Sequence, residues 1–219
     1  MKSDEVAQYL QDNPQFFEDY ADLMSRVVIP HPHGGRTISI TERQMLSLRD
    51  KNRQLEAKLG ELLQFGEEND VISERMHRLG VAVIAAGTFQ SVIHTLNFHL
   101  RDDFAVPHFA LRLWSRPENT SELPEFAGVS QELQTFSETL NHPYCGSTAG
   151  FETASWFGAA APHVRSQGLI ALRNGGGTIG MIALGSEDPQ RFYSGMGTLY
   201  LERLGEMASA ALARVLHLP

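Results

Sequence analysis

The sequence predicts an α+β protein: an antiparallel sheet flanked by helices, preceded by a long coiled-coil helix and a small N-terminal helical pair. Three observations predict it. Residues 164–219 run strand, glycine turn, strand, Asp-Pro, then a helix with apolar residues at helical spacing. Residues 41–86 contain no proline, and leucines recur seven apart through their first half. The chain has 219 residues, 42% hydrophobic and 20% charged, enough to bury a core in one sizeable domain plus an extension.

At the N-terminus, Ser3 or Asp4 caps a helix carrying Val6, Tyr9 and Leu10. Asn13 and Pro14 then read as the cap and first position of a second helix, which carries Phe16, Phe17, Tyr20, Leu23, Met24 and Val27. That face is too apolar to stay solvated, so residues 3–28 are expected to pack on the following helix or dock a protein partner. Residues 29–40 are rich in Pro and Gly and read as an irregular connection.

Thr41 opens a capping-box pattern with Gln44. Beyond it Met45, Leu48, Asn52, Leu55, Leu59 and Leu62 fall on one seam with heptad spacing; Gly66, Asn69 and Ser73 then weaken it. Two readings stand open: a homodimer stalk, or an amphipathic helix packed on its own domain. Asn52 sits on the seam, where a buried Asn fixes register. A helix over 41–86 would be about 65 Å long at 1.5 Å per residue, longer than a small domain, so part of it protrudes or pairs.

The division follows: 1–40 the helical pair and connection, 41–74 the dimerisation helix, 75–219 the globular domain. Within that domain Gly87-Thr88 starts a helix to about residue 102 with Val92, Ile93, Leu96 and Leu100 inward. Residues 108–114 read as a strand, 115–130 as a loop and 131–140 as a helix, while 154–162 carry no decisive period. Strands at 164–173 and 178–184 are joined by Asn174-Gly175-Gly176-Gly177, a hairpin signal. Asp188-Pro189 reads as a helix start, and the final helix, 194–217, as a second dimerisation element.

The run from Gly177 to Ser186, followed by Asp188-Pro189, Phe192 and the amphipathic helix, resembles the end of a GAF domain, over residues 75–219. The front of the chain carries a second resemblance. Val6, Ala7, Tyr9, Leu10, Pro14, Phe16 and Phe17, then Ile29-Pro-His-Pro-His-Gly-Gly35 and Ser39-Ile-Thr-Glu-Arg-Gln44, are similar to the domain-of-unknown-function family numbered 484. That family joins such a segment to a GAF-like domain. The resemblance implies cytoplasmic bacterial proteins with function unassigned and no catalytic residues to carry over.

Gly175–Gly177 lacks a following Lys-Ser/Thr and a helix start, so it reads as a turn and not a phosphate loop. His31-x-His33 and His142-x-x-Cys145 are far apart for a tetrahedral site, and neither a metal nor a cofactor is expected. Arg112 and Arg173 interrupt apolar strands and either meet an anionic ligand or end a strand. Trp114, Phe151 and Trp156 line a pocket or simply fill the core, and Cys145 is a pocket thiol or an inert one. These six, Arg112, Trp114, Cys145, Phe151, Trp156 and Arg173, form the candidate ligand site.

The net charge of −8 argues against a nucleic-acid partner, which needs a cationic surplus. The N-terminus has no signal-peptide pattern and no window spans a bilayer, so a cytoplasmic location without membrane contact is expected. The expectation is a non-enzymatic, GAF-like small-molecule-sensing or protein-interaction module acting as a homodimer. A thiol-dependent enzyme using Cys145 and a purely structural dimeric scaffold are the alternatives.

Overall fold

A computed structural model describes residues 2–30, 37–115 and 123–218. The chain divides into two compact units, 1–68 and 69–219. The His31-x-His33 pair and most of the 115–123 stretch lie outside the described residues, as do the side chains of Thr41 and its neighbours.

In the first unit α1 spans Ser3–Asp12, α2 Phe16–Asp19 and α3 Ala21–Arg26. The expected second helix is thus broken at Tyr20 (φ −117°, ψ 31°). Asn13 does not cap it. Both the backbone N–H and the side-chain Nδ2 of Asn13 donate to the Tyr9 carbonyl, at 3.0 and 2.9 Å, so Asn13 closes α1 instead. Pro14 then lies in a turn. Phe16 gathers the local aromatics: its ring stacks on Tyr20 at 4.7 Å and meets Tyr9 and Phe17 edge-on at 6.3 and 6.0 Å. Tyr9, Phe17, Tyr20 and Leu23 remain 41–52% exposed.

The described residues at the two ends of the 29–40 connection are strands, where its Pro and Gly content suggests an irregular path. β1 (Val28–Pro30) pairs antiparallel with β2 (Thr37–Ser39), with Ile29 opposite Ile38. The β-branched residues on either side of the glycines favour this ribbon. α4 then runs unbroken over Ile40–Ala85, 46 residues. Every residue from 43 to 71 is exposed, the seam leucines included.

The second unit begins on the same helix, where Met76, Leu79 and Val83 become buried at helical spacing, followed by Ala86 just past its end. α5 (Phe89–Asp102) starts at Thr88, whose Oγ1 accepts from the Ser91 N–H, and buries Val92, Leu96 and Leu100. β3 (His108–Leu113) follows, then α6 (Gln131–Thr139), β4 (Tyr144–Ser147), β5 (Ser166–Asn174), β6 (Gly177–Ser186) and α7 (Leu199–Leu216). The four strands form one antiparallel sheet in the order β3-β6-β5-β4. Gly175 and Gly176, at φ +60° and +101°, make the two-residue turn between β5 and β6, a conformation other residues rarely take.

Alternate residues of the sheet serve two layers. Leu111, Leu113, Ile170, Leu172, Ile182 and Leu184 pack with α5, α7 and the end of α4. Ala110, Leu169, Met181 and Ala183 face α6 and the 3-10 turns over Glu152–Ala160, which kink at Gly158. Asp188-Pro189 begins a turn, not a helix: Asp188 Oδ1 accepts the Gln190 N–H at 2.8 Å. Gly195 at φ +90° then intervenes, so α7 starts only at residue 199 and not at 194. β4 is four residues long with a glycine in it, too short to leave a strand pattern in the sequence.

Arginines close two helices. Arg214 of α7 donates to the Val83, Ile84 and Ala86 carbonyls at the end of α4, at 3.2, 2.8 and 2.6 Å. Arg173 does the same for α6. Such donors satisfy orphan carbonyls and complement the helix dipole.

Candidate functional site

The sheet face toward α6 is an aromatic layer. Trp114, Phe136, Tyr144, Phe151, Trp156 and Phe157 pack on Leu133, Leu169 and Met181. Tyr144 and Phe151 lie 4.9 Å apart between centroids, and Phe136 lies 5.6 Å from Phe151, ordinary spacings for favourable aromatic pairs. Trp114 also donates Nε1–H to the Thr178 carbonyl at 2.7 Å. Behind the layer, buried Thr153 donates to Gln167 Oε1 at 2.7 Å.

Arg112 enters this layer from β3. Its guanidinium lies 5.2 Å from the Trp156 ring centre and donates to the Leu111 carbonyl at 2.8 Å. Burial pulls its pKa down from the ordinary arginine value, while the Glu125 charge opposes that. The half-buried cation is therefore held by an indole face and a carbonyl.

Four of the six candidate site residues, Arg112, Trp114, Phe151 and Trp156, share this side of the sheet. Two do not belong with them. Cys145 points to the opposite face, 8% exposed among the residues packed on α5 and α7. Strand alternation explains this: its neighbour Tyr144 takes the aromatic side. Burial pushes the Cys145 thiol up to about 11. Arg173 is exposed at the hairpin end, and one of its terminal nitrogens, Nη2, donates to the Ser137, Glu138 and Leu140 carbonyls at 3.0, 3.2 and 3.0 Å. It caps the C-terminal end of α6.

A cleft of about 470 Å³ lies elsewhere, between the loop 140–143, β5 and α7, with Arg173, Glu202, Glu206 and Ser209 in its lining. β4 pairs only with the first half of β5, from Ser166 to Leu169, which leaves the strand edge beyond it open. His142 Nδ1 and Glu202 Oε1 meet across the cleft at 2.9 Å, and Thr198 donates to the same oxygen at 2.8 Å. The His142 hydrogen bond, then that from Thr198, holds the Glu202 carboxyl below its ordinary pKa. Sixty residues separate His142 from Glu202, and no local pattern marks the pair. Among the described residues no group of three or more His, Cys, Asp or Glu is placed to hold a metal ion. No helix there is long and apolar enough to cross a membrane.

The fold defines a class first: a mixed α+β domain whose antiparallel four-stranded sheet has helices on one face and an aromatic layer on the other. The chain belongs to the family described as protein of unknown function, DUF484, whose model matches residues 1–217. It is similar to the uncharacterized protein YigA of Salmonella typhimurium strain LT2, 24% identical over 95% of this chain and 90% of that one. The YigA proteins of Shigella flexneri and Escherichia coli K12 are 25% and 24% identical over the same shares.

Proposed function

We propose that the chain is a non-enzymatic, GAF-like binding module that acts as a homodimer. The observation that carries this reading is the uncovered seam of α4. Met45, Leu48, Leu55, Leu59 and Leu62 are 50–66% exposed on one helix face. An apolar stripe of that length, interrupted at Asn52 and exposed to water, is a recurrent mark of an association surface. The small molecule would enter at the aromatic layer around Arg112, Trp114, Phe151 and Trp156, where an arginine among aromatic rings suits a flat anionic group. The helices that meet at Arg214 would pass the effect on, provided ligand binds one helical arrangement better than another.

A thiol-dependent enzyme is disfavoured by Cys145. With a pKa of about 11, roughly one thiol in 10⁴ is ionised at pH 7, and the thiolate is the nucleophile. A purely structural dimeric scaffold is the second reading, favoured by the close mutual packing of the aromatic layer. Native mass spectrometry of freshly purified protein separates these readings. A binding module should appear as a dimer carrying a co-purified small molecule that Arg112→Ala removes. A dimer with no bound mass in any preparation favours the scaffold.

A further inference from the structure

The seam residues of α4 alternate at spacings of three and four, so they can be assigned to two core positions of a coiled coil. Met45, Asn52 and Leu59 occupy one, and Leu48, Leu55 and Leu62 the other. Flanking the seam, Gln44, Lys51, Lys58 and Phe65 lie on one side and Arg49, Glu56 and Leu63 on the other. Every one of these residues from 43 onward is exposed. The occupant that matches this surface is a second copy of the same surface, and its orientation follows from the charges.

In a parallel pair in register, a residue on the first flank meets the residue five positions further along on the other chain. Lys51 then meets Glu56 of the second copy, twice by symmetry. Gln44 meets Arg49 and Lys58 meets Leu63, so no like charges meet. Asn52 faces Asn52. One N–H of Asn52 Nδ2 is already used by Glu56 Oε1 of its own helix at 3.2 Å. A second N–H and the amide oxygen remain to pair across the seam.

In an antiparallel pair that aligns the same core residues, equal flanks face each other. Arg49 would meet Glu56, but Lys51 would meet Lys58, so two attractive contacts are offset by two repulsive ones. Asn52 would face Leu55 of the other copy, and both amides would be buried without a partner across the seam, which is the more expensive error. We infer that two copies of this chain associate through residues 45–62 as a parallel, in-register coiled coil, aligned by an Asn52–Asn52 layer and flanked by Lys51–Glu56 pairs. This rests on the homodimer reading above and adds its orientation and register. Past Leu62 the seam passes to Gly66, Asn69 and Ser73, and by Met76 it has become the buried core of the second unit. The pairing therefore ends where the domain begins.

The full chain provides its own quiet background for thiol cross-linking, because its single native cysteine is buried. Leu48→Cys and Leu62→Cys are made separately, and Leu48→Cys is also mixed with Leu59→Cys. Leu48, Leu59 and Leu62 are exposed in the single chain, so the substitutions leave its core alone. Light scattering reports the oligomeric state, and oxidation reports the alignment. Both single variants should cross-link to themselves, and the mixed pair should not. An antiparallel pair on the same core residues places the two copies of residue 48 roughly 16 Å apart along the axis at 1.5 Å per residue, beyond disulfide reach. No antiparallel register brings both 48 to 48 and 62 to 62. A dimer that yields only the mixed cross-link, or none, overturns the parallel alignment and leaves the dimer standing. A single-chain mass at micromolar concentration overturns both.

Discussion

Replacing Arg214 by Ala removes three donors from the last carbonyls of α4 at once. The bonds to Val83 and Ala86 are partly buried, and that to Ile84 is exposed. Water replaces the exposed donor readily, so its loss counts for little. Each partly buried bond contributes about 0.5–1.5 kcal/mol net. The cation at a helix C-terminus adds about 0.3–1 kcal/mol. Together the variant should lose about 2 kcal/mol, and in a chain of this size about 1 kcal/mol lowers Tm by roughly 2–4 °C. Thermal unfolding followed by circular dichroism should therefore show Tm lower by about 4–8 °C. Arg214→Lys should recover only part of this, since one ammonium cannot reproduce the planar fork that reaches several carbonyls. A Tm for Arg214→Ala within 1 °C of the parent protein would show that the α4 terminus is not held by α7, and the route assigned to helix coupling would fall with it.

Other consequences are testable with the same protein. Cys145 should resist a thiol reagent at pH 8 in the folded protein and react fully on denaturation; rapid labelling of the native state would refute its placement. Glu202 has a folded pKa below its ordinary value, so its contribution to stability is present above the carboxylate range and lost as pH falls through the folded pKa. The Tm difference between the parent and Glu202→Gln should accordingly shrink as pH falls through the carboxylate range, and a difference that persists undiminished below that range would contradict the pairing with His142. A Cβ on Gly180 would lie 2.5 Å from the Arg112 carbonyl oxygen, which the β3–β6 pairing holds in place, so Gly180→Ala should destabilise by about 1–3 kcal/mol. Gly60→Ala meets nothing within 4 Å on α4 and should stabilise the helix by up to about 1 kcal/mol; denaturant midpoints test both glycines.

The parts of the fold legible in the sequence are those fixed by local chemistry. Asn174-Gly175-Gly176-Gly177 marked the hairpin because the turn needs positive φ. Val92, Leu96 and Leu100 marked the buried face of α5 by their spacing alone. The failures came where two local signals competed. Asn13 can end one helix or begin another, and its side chain reaches back to Tyr9. Asp188-Pro189 is a good helix start, but Gly195 and Gly197 follow too soon for a helix to run from it. The candidate site was legible in composition and not in assembly. Trp114, Phe151 and Trp156 are recognisable in the sequence as aromatics of a pocket or of a core, yet nothing near Cys145 tells which face of a four-residue edge strand it takes. Arg112 and Arg173 look alike in sequence. Only the packing of α6 separates a cation over an indole from a cap on a helix end.

The central claim is association through α4, and light scattering of the full chain beside a Leu55→Glu, Leu59→Glu variant tests it most directly. Both leucines are exposed in the single chain, at 65% and 57%, so the variant should keep its fold and its unfolding transition. The parent should show twice the chain mass at micromolar concentration, and the variant the single-chain mass. A parent that runs as a single chain, or a variant that stays paired, contradicts it.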